Sequence, residues 1–230
     1  MDHAFINGKR IYAFKSKEEF LEYLTERTGI LVALNAEKLN KSNAELDRII
    51  NRNIGYPDGI GAVWALRRKG FQSTKIAGAE FWLDIIRHYG NNRSFYLIGA
   101  TDEVIDQTIK KLKTEFPSIR VAGYRNGFLK EGDRHLLIQD FKATQPDVIF
   151  VAMGSPKQEF LMADFLVEFP ALYMGLGGSY DVYSGFKKRA PKIFIKLGLE
   201  WFYRLFKEPT RFSRQTNLLK FLFRIIFDKL

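Results

Sequence analysis

The sequence predicts an α/β protein of Rossmann-like build, a largely parallel sheet with helices on both faces, followed by a basic helical C-terminal appendage. Three observations carry this expectation. Short apolar or β-branched runs of strand length recur along the chain and end in Gly, Asn or Ala, and segments of helical period separate them. The composition then changes near Gly185, beyond which Lys and Arg dominate. Buried strands alternating with helix-length segments imply parallel pairing, because a parallel crossover needs a connection about the size of a helix.

The expected strands, in order, are ILVALN (30–35), SFYLIGA (94–100), IRVAGY (119–124), DVIFVAMG (147–154) and ALYMGLGG (171–178). A helix is expected to begin at GAVWALRR after the turn formed by Pro57, Asp58 and Gly59. The clearest helix is 102–116, where Val104, Ile105, Thr108, Ile109, Leu112 and Phe116 recur at helical spacing, and a second covers 157–169. Ligands of such folds bind beyond the carboxyl ends of the strands, so the strand-ending residues are the candidates for function. Residues 1–186 are expected to form the catalytic domain and 187–230 the appendage. In the appendage, Phe194, Leu197, Trp201 and Leu205 form an apolar stripe beside Lys192, Lys196, Arg204, Lys207 and Arg211. A second amphipathic helix is expected from about 211 to 228, after the break at Pro209.

Composition narrows the function. A chain of 230 residues with 46% hydrophobic and 15% aromatic content builds a substantial core. There is no cysteine, and His3, His88 and His135 are scattered, so neither a disulfide framework nor a protein-built metal centre is expected. The N-terminus lacks a basic start followed by an apolar run, which favours an intracellular protein. Residues 187–230 hold twelve of the 36 Lys and Arg but three of the 26 acids, which points to an anionic partner. Large apolar residues alternate with these charges, a pattern suited to a membrane interface rather than a duplex groove, so nucleic acid is not an expected partner. No apolar stretch approaches the roughly 18 to 20 residues that cross a bilayer, and FLFRIIF is interrupted by Arg224.

Four constellations stand out, three at expected strand ends and one, around Asp58, in the turn ahead of a helix. Asn35 closes the first strand, where it either hydrogen-bonds a sugar hydroxyl or caps the following helix. Asp58 either caps a helix or takes a proton from a substrate hydroxyl. In VAMGSPKQEF, Gly154 ends a strand, and Ser155 with Gln158 reads as a capping box with Pro156 at the first helical position. A helix N-terminus there also suits a diphosphate. In MGLGGSYD, Gly175, Gly177 and Gly178 let backbone approach a ligand ahead of Asp181. Tyr180 breaks the dinucleotide fingerprint, so no nicotinamide cofactor, and no other cofactor, is expected.

The succession LNAEKLN, PDGIGAVWALRRKG, KIAGAEF, FYLIGA, VAMGSPKQEF and LYMGLGGSYDVYSGFKKRAPKIFIKLGLEWFYRLFKEPTR resembles the WecG/TagA/CpsF family of bacterial glycosyltransferases from about residue 5 to 220. The resemblance implies a metal-independent, inverting transfer of a sugar from a UDP donor to a polyprenyl-diphosphate-linked sugar. It further implies a peripheral enzyme on the cytoplasmic face of the cell membrane, building a surface polysaccharide. It places the general base on Asp58, with Asn35 and Gln158 as catalytic partners. It also puts Arg204, Lys207 and Arg211 of the appendage near the nucleotide and the anionic membrane surface. Gly154, Ser155, Gly175, Gly177, Gly178 and Asp181 are expected to bind the donor, with the Gly175–Gly178 loop and the basic tail at its diphosphate. The oligomeric state stays open, a homo-oligomer included.

One position separates branches within the resemblance. Members that transfer N-acetylmannosamine in teichoic acid linkage-unit synthesis often have Thr two residues before the strand-end Asn, where this chain has Ala33. VALNAEK, VAMGSPKQE and the ALYMG stretch are closer to the enterobacterial common antigen branch, which adds N-acetylmannosaminuronic acid. A uronate calls for a cation near the sugar, and Lys75, Arg67 and Arg68 are the candidates.

Overall fold

The structure is a computed structural model that describes residues 1–188 together with Phe221 and Phe223. The two expected basic helices, with Arg204, Lys207 and Arg211, lie outside the described residues. In chain order the elements are β1 (His3–Ile6), β2 (Lys9–Tyr12), α1 (Lys17–Tyr23), β3 (Gly29–Leu34), α2 (Ala36–Asn40), α3 (Ala44–Arg52), β4 (Ile54–Pro57) and α4 (Ile60–Arg68). There follow α5 (Gly78–Tyr89), β5 (Ser94–Gly99), α6 (Asp102–Glu115), β6 (Arg120–Arg125), α7 (Asp133–Thr144), β7 (Val148–Ala152), α8 (Lys157–Glu168), β8 (Leu172–Gly175) and α9 (Ser179–Tyr183). The expected α/β class is observed, with a six-stranded sheet in the order β4-β3-β8-β7-β5-β6.

The chain divides into two compact units, Met1–Lys17 with Ala33–Ala77 and Lys188–Leu230, and Glu18–Val32 with Gly78–Lys187. The first unit opens on an antiparallel hairpin in which His3 faces Tyr12 and Ile6 faces Lys9. Asn7 and Gly8 form its turn with φ of 48° and 75°, the left-handed pair that matches strand twist in a two-residue loop. Helix α3 starts at Asn43, whose side chain accepts from the Leu46 N–H at 3.0 Å, and it buries Leu46 and Ile50. Strand β4 is buried at all four positions.

The second unit holds the parallel core. Strand β8 aligns Leu172 with Gly29 of β3 and with Val148 of β7, and β5 aligns Phe95 with Val148 and Ser94 with Arg120 of β6. Strands β5 and β7 are buried throughout, as expected of strands covered on both faces. Helix α6 begins at Thr101, whose hydroxyl oxygen accepts from the Val104 N–H at 3.4 Å, and Asp102 and Glu103 sit in its positive first turn. Its buried face is Val104, Ile105, Thr108, Ile109 and Leu112. Trp82 of α5 is fully buried with its ring edge-on to Phe150, Tyr180 and Tyr183, the last 5.1 Å away.

Connectivity places a topological switch point in this unit. From β5 the chain crosses through α6 to β6 on one side, whereas from β7 it crosses through α8 to β8 on the other. The carboxyl ends of β5 and β7 therefore flank a topological switch point, where open α/β sheets take their ligands.

Candidate active site

Each unit holds one group of the expected site residues. In the first, β3 and β4 end side by side, since the Asp58 N–H donates to the Leu34 carbonyl at 3.0 Å. That bond sets Asp58 next to Asn35, the residue after Leu34. A Cβ at Gly59 would lie 4.0 Å from the Asn35 Cβ, and Gly59 itself has φ of 118°, a conformation open to glycine alone without strain. The N-cap of α4 falls on Gly59, so the reading of Asp58 as the helix cap is corrected. The Asp58 side chain is half-buried at the loop.

Asn35 does cap a helix. Its Oδ1 accepts from the Lys38 N–H at 2.9 Å, which leaves the amide Nδ2 as the group that can meet a ligand. Lys75 is half-buried one residue before Ile76, whose N–H donates to the Pro57 carbonyl at 2.9 Å. This bond ties the Lys75 segment to the residue before Asp58. Arg67 and Arg68 sit farther along α4, both exposed, with the Arg67 Nη2 donating to the Ser73 carbonyl at 3.5 Å.

The second group surrounds Gln158. The expected capping box does not form, because the N-cap of α8 is Pro156 and no side chain caps it. Helix α8 starts at Lys157, so Gln158 is its second residue and its side chain turns into the protein. There its Oε1 accepts from the Gly177 N–H at 2.9 Å, and only 4% of the residue is exposed. Gly175 makes this possible, since a Cβ there would sit 2.2 Å from the Gln158 Nε2. Gly177 has φ of 58° and Gly178 is the N-cap of α9. Asp181 is paired with the Lys187 Nζ at 3.3 Å. Ser155 is exposed beside Gly154, whose carbonyl accepts from the Gln158 N–H at 3.0 Å.

The switch point is crowded with glycine. A Cβ at Gly99 would lie 2.3 Å from the Ala152 carbonyl oxygen, and one at Gly127 would lie 3.0 Å from the Gly99 Cα. The loops after β5, β6 and β7 therefore meet at backbone distance. Beside them lies a cavity of about 290 Å³ lined by Leu129, Lys130, Gly132, Arg134, Met153 and Lys157 among others. The sequence reading passed over these cations. Lys130 and Arg134 stand in the short KEGDR turn, which looks like an ordinary solvated loop, and Lys157 stands in the SPKQEF stretch, singled out there for its cap and helix N-terminus and not for this cation. Asp133 shapes that turn by accepting from the Lys130 N–H at 2.7 Å and from the Arg125 guanidinium. The Lys130 N–H is the main reason the Asp133 carboxyl is held below its ordinary range, with Arg125 adding to it against partial desolvation.

Each group stands on loops that follow strands of the sheet, the positions where α/β folds take their ligands. The chain belongs to the glycosyl transferase WecG/TagA/CpsF family, whose model matches residues 6–230. It is thus a glycosyltransferase of cell-surface polysaccharide synthesis, a class that takes sugar from a nucleotide-sugar donor to a lipid-linked acceptor. Among the described residues, no helix is long and apolar enough to cross a membrane.

Proposed function

We propose that the protein is an inverting, metal-independent transferase that moves N-acetylmannosaminuronic acid, or an N-acetylmannosamine-type sugar, from UDP to polyprenyl-diphosphate-linked N-acetylglucosamine. The observation that supports this most is the Asp58 loop at the end of β4, hydrogen-bonded to the end of β3 beside Asn35, in a chain of this family. Asp58 takes the proton of the acceptor hydroxyl as its oxygen attacks the anomeric carbon. The bond from that carbon to the UDP oxygen breaks on the opposite face, so configuration inverts and UDP leaves with the electron pair. Asn35 and Gln158 orient acceptor and donor. The Gly175–Gly178 loop, with Gly154, Ser155 and the basic residues Arg204, Lys207 and Arg211, holds the diphosphate, whose developing charge needs fixed donors, and Asp181 serves the donor site beside that loop without touching the phosphates.

The donor branch rests on the LNAEK and SPKQE stretches, on Ala33, and on Lys75, held beside the Asp58 segment and able to meet a uronate. The same chemistry with UDP-N-acetylmannosamine or UDP-glucose is the second reading. It follows from the shared family, in which donors differ while the strand-end loops remain. In this reading the enzyme works at the inner face of the cell membrane, with its appendage against anionic lipid.

UDP release from a panel of UDP-sugars, with a short-prenyl diphosphoryl-N-acetylglucosamine acceptor and no added metal, tests the reaction. Acceptor-dependent release from one donor is expected. Asp58→Asn should lower kcat by roughly 10²- to 10⁴-fold, as loss of a positioned base does, with UDP affinity kept. Parallel loss of UDP binding and turnover would reassign Asp58 to structure.

A further inference from the structure

The exposed face of α4 carries a stripe that the proposed function, with Lys75 at the uronate, leaves unused, including Arg67 and Arg68, the other two uronate candidates in the sequence. Ile60, Trp64, Arg67 and Arg68 are exposed, whereas Gly61, Ala62, Val63, Ala65 and Leu66 are buried. Spacings of three and four put the exposed side chains on one side of the helix. Trp64 is 43% exposed and Ile60 36%, a large apolar area to leave in water beside a reaction centre. Phe221 packs against Gly61, on the buried side of the helix.

The stripe has a direction. Helix α4 begins two residues after Asp58, so a carboxylate, two apolar side chains and then cations follow one another along one line. From Ile60 to Arg67 the helix rises about 10 Å, the length of a pyranose ring followed by a diphosphate. We propose that this face seats the acceptor, with its hydroxyl at Asp58, the apolar face of its sugar on Ile60 and Trp64, and its diphosphate at Arg67. The inference rests on the assignment of Asp58 as the base. The cations exclude an uncharged lipid or an apolar peptide, and the carboxylate of Asp58 at the near end favours a sugar diphosphate over anionic lipid headgroups, which it would repel while a sugar hydroxyl would donate to it. The guanidinium of Arg67 donates one long bond of 3.5 Å to Ser73 and has further N–H groups for a phosphate.

Calorimetric titration of the full chain with short-prenyl diphosphoryl-N-acetylglucosamine, in the absence of donor, reads this seat directly. Trp64→Ala and Arg67→Ala should each weaken acceptor binding roughly tenfold, through loss of an aromatic face or of a charge-assisted contact. Trp64→Phe should retain most of the affinity, and UDP binding and melting temperature should be unchanged in all three. Wild-type acceptor affinity in Trp64→Ala overturns the proposal, as does a wild-type chain that fails to bind the acceptor. Loss of binding by Trp64→Ala to acceptor-free anionic vesicles, with acceptor affinity intact, assigns the stripe to the membrane surface and also overturns it. Acceptor binding that depends on Trp64, together with full turnover by Asp58→Asn, upholds the seat while removing the base from Asp58.

Discussion

Gln158 is held by a glycine on another element. Its placement against Gly175 leaves no room for a methyl group, and its Oε1 satisfies the Gly177 N–H. Gly175→Ala should therefore push the amide off Gly177 and strand a backbone donor, costing about 1 to 3 kcal/mol as overpacked sites do. We expect kcat to fall as far in Gly175→Ala as in Gln158→Ala, read by steady-state UDP release beside a thermal melt. Full activity in Gly175→Ala would detach Gln158 from the reaction. Asp133 supports the cavity loop in a different way. Its folded-state pKa is lowered, so its stabilisation of the loop is present above the ordinary carboxylate value of about 3.9. That stabilisation is lost only as pH falls through the lower, folded-state value. The Lys130 amide resonance should titrate with a midpoint below the ordinary value and should stop titrating in Asp133→Asn. A midpoint at or above the ordinary value would contradict the hydrogen bonds assigned to this carboxylate.

Helices and strands with a strong period are the part of the molecule most legible in its sequence. The 102–116 and 157–169 segments appear as α6 and α8, and the five expected strands appear as β3, β5, β6, β7 and β8, with β3 shifted one residue earlier, β6 one residue later and the other three shorter than expected. Period reports burial, and burial is what these elements share. Strand β4 escaped because IGYP is four residues long and ends in proline, too short to show alternation. The β1-β2 hairpin is absent from the expected elements although Asn7-Gly8 is a strong turn pair. Of the candidate site, the strand end at Asn35 and the turn at Asp58 were readable, since both are local properties, whereas the strand that Asp58 closes was not. The inward turn of Gln158 was not, because it depends on Gly175 and Gly177 from a separate strand end. Trp82 offers a test at this scale, as its packing unites α5, β7 and α9. Trp82→Ala should cost about 3 to 5 kcal/mol, as loss of a buried Trp does, measured by denaturant unfolding. A loss below about 1 kcal/mol would mean that the cluster does not hold the second unit together.

At the scale of the whole chain, residues 187–230 contribute charge and, through Phe221, one aromatic contact with α4. The last 44 residues hold a third of the Lys and Arg, and Phe221, fully buried, packs against Gly61 three residues beyond Asp58. Ending the chain after Glu208 removes Arg211, Arg214, Lys220, Arg224 and Lys229 against one acid, Asp228. Each such cation near an anionic surface contributes about 1 kcal/mol, so sedimentation with vesicles rich in anionic lipid should fall by well over tenfold, and wild-type binding should itself weaken with salt. Turnover should drop as well, but for two separable reasons. Neutralising the five cations to Gln while keeping Phe221 should abolish vesicle binding and leave the melting temperature near that of the wild type. Phe221→Ala should do the reverse, lowering the melting temperature and kcat with vesicle binding intact. Vesicle binding that survives both the truncation and the neutralisation would take the membrane role away from residues 209–230 and leave it to the cations between Lys187 and Lys207.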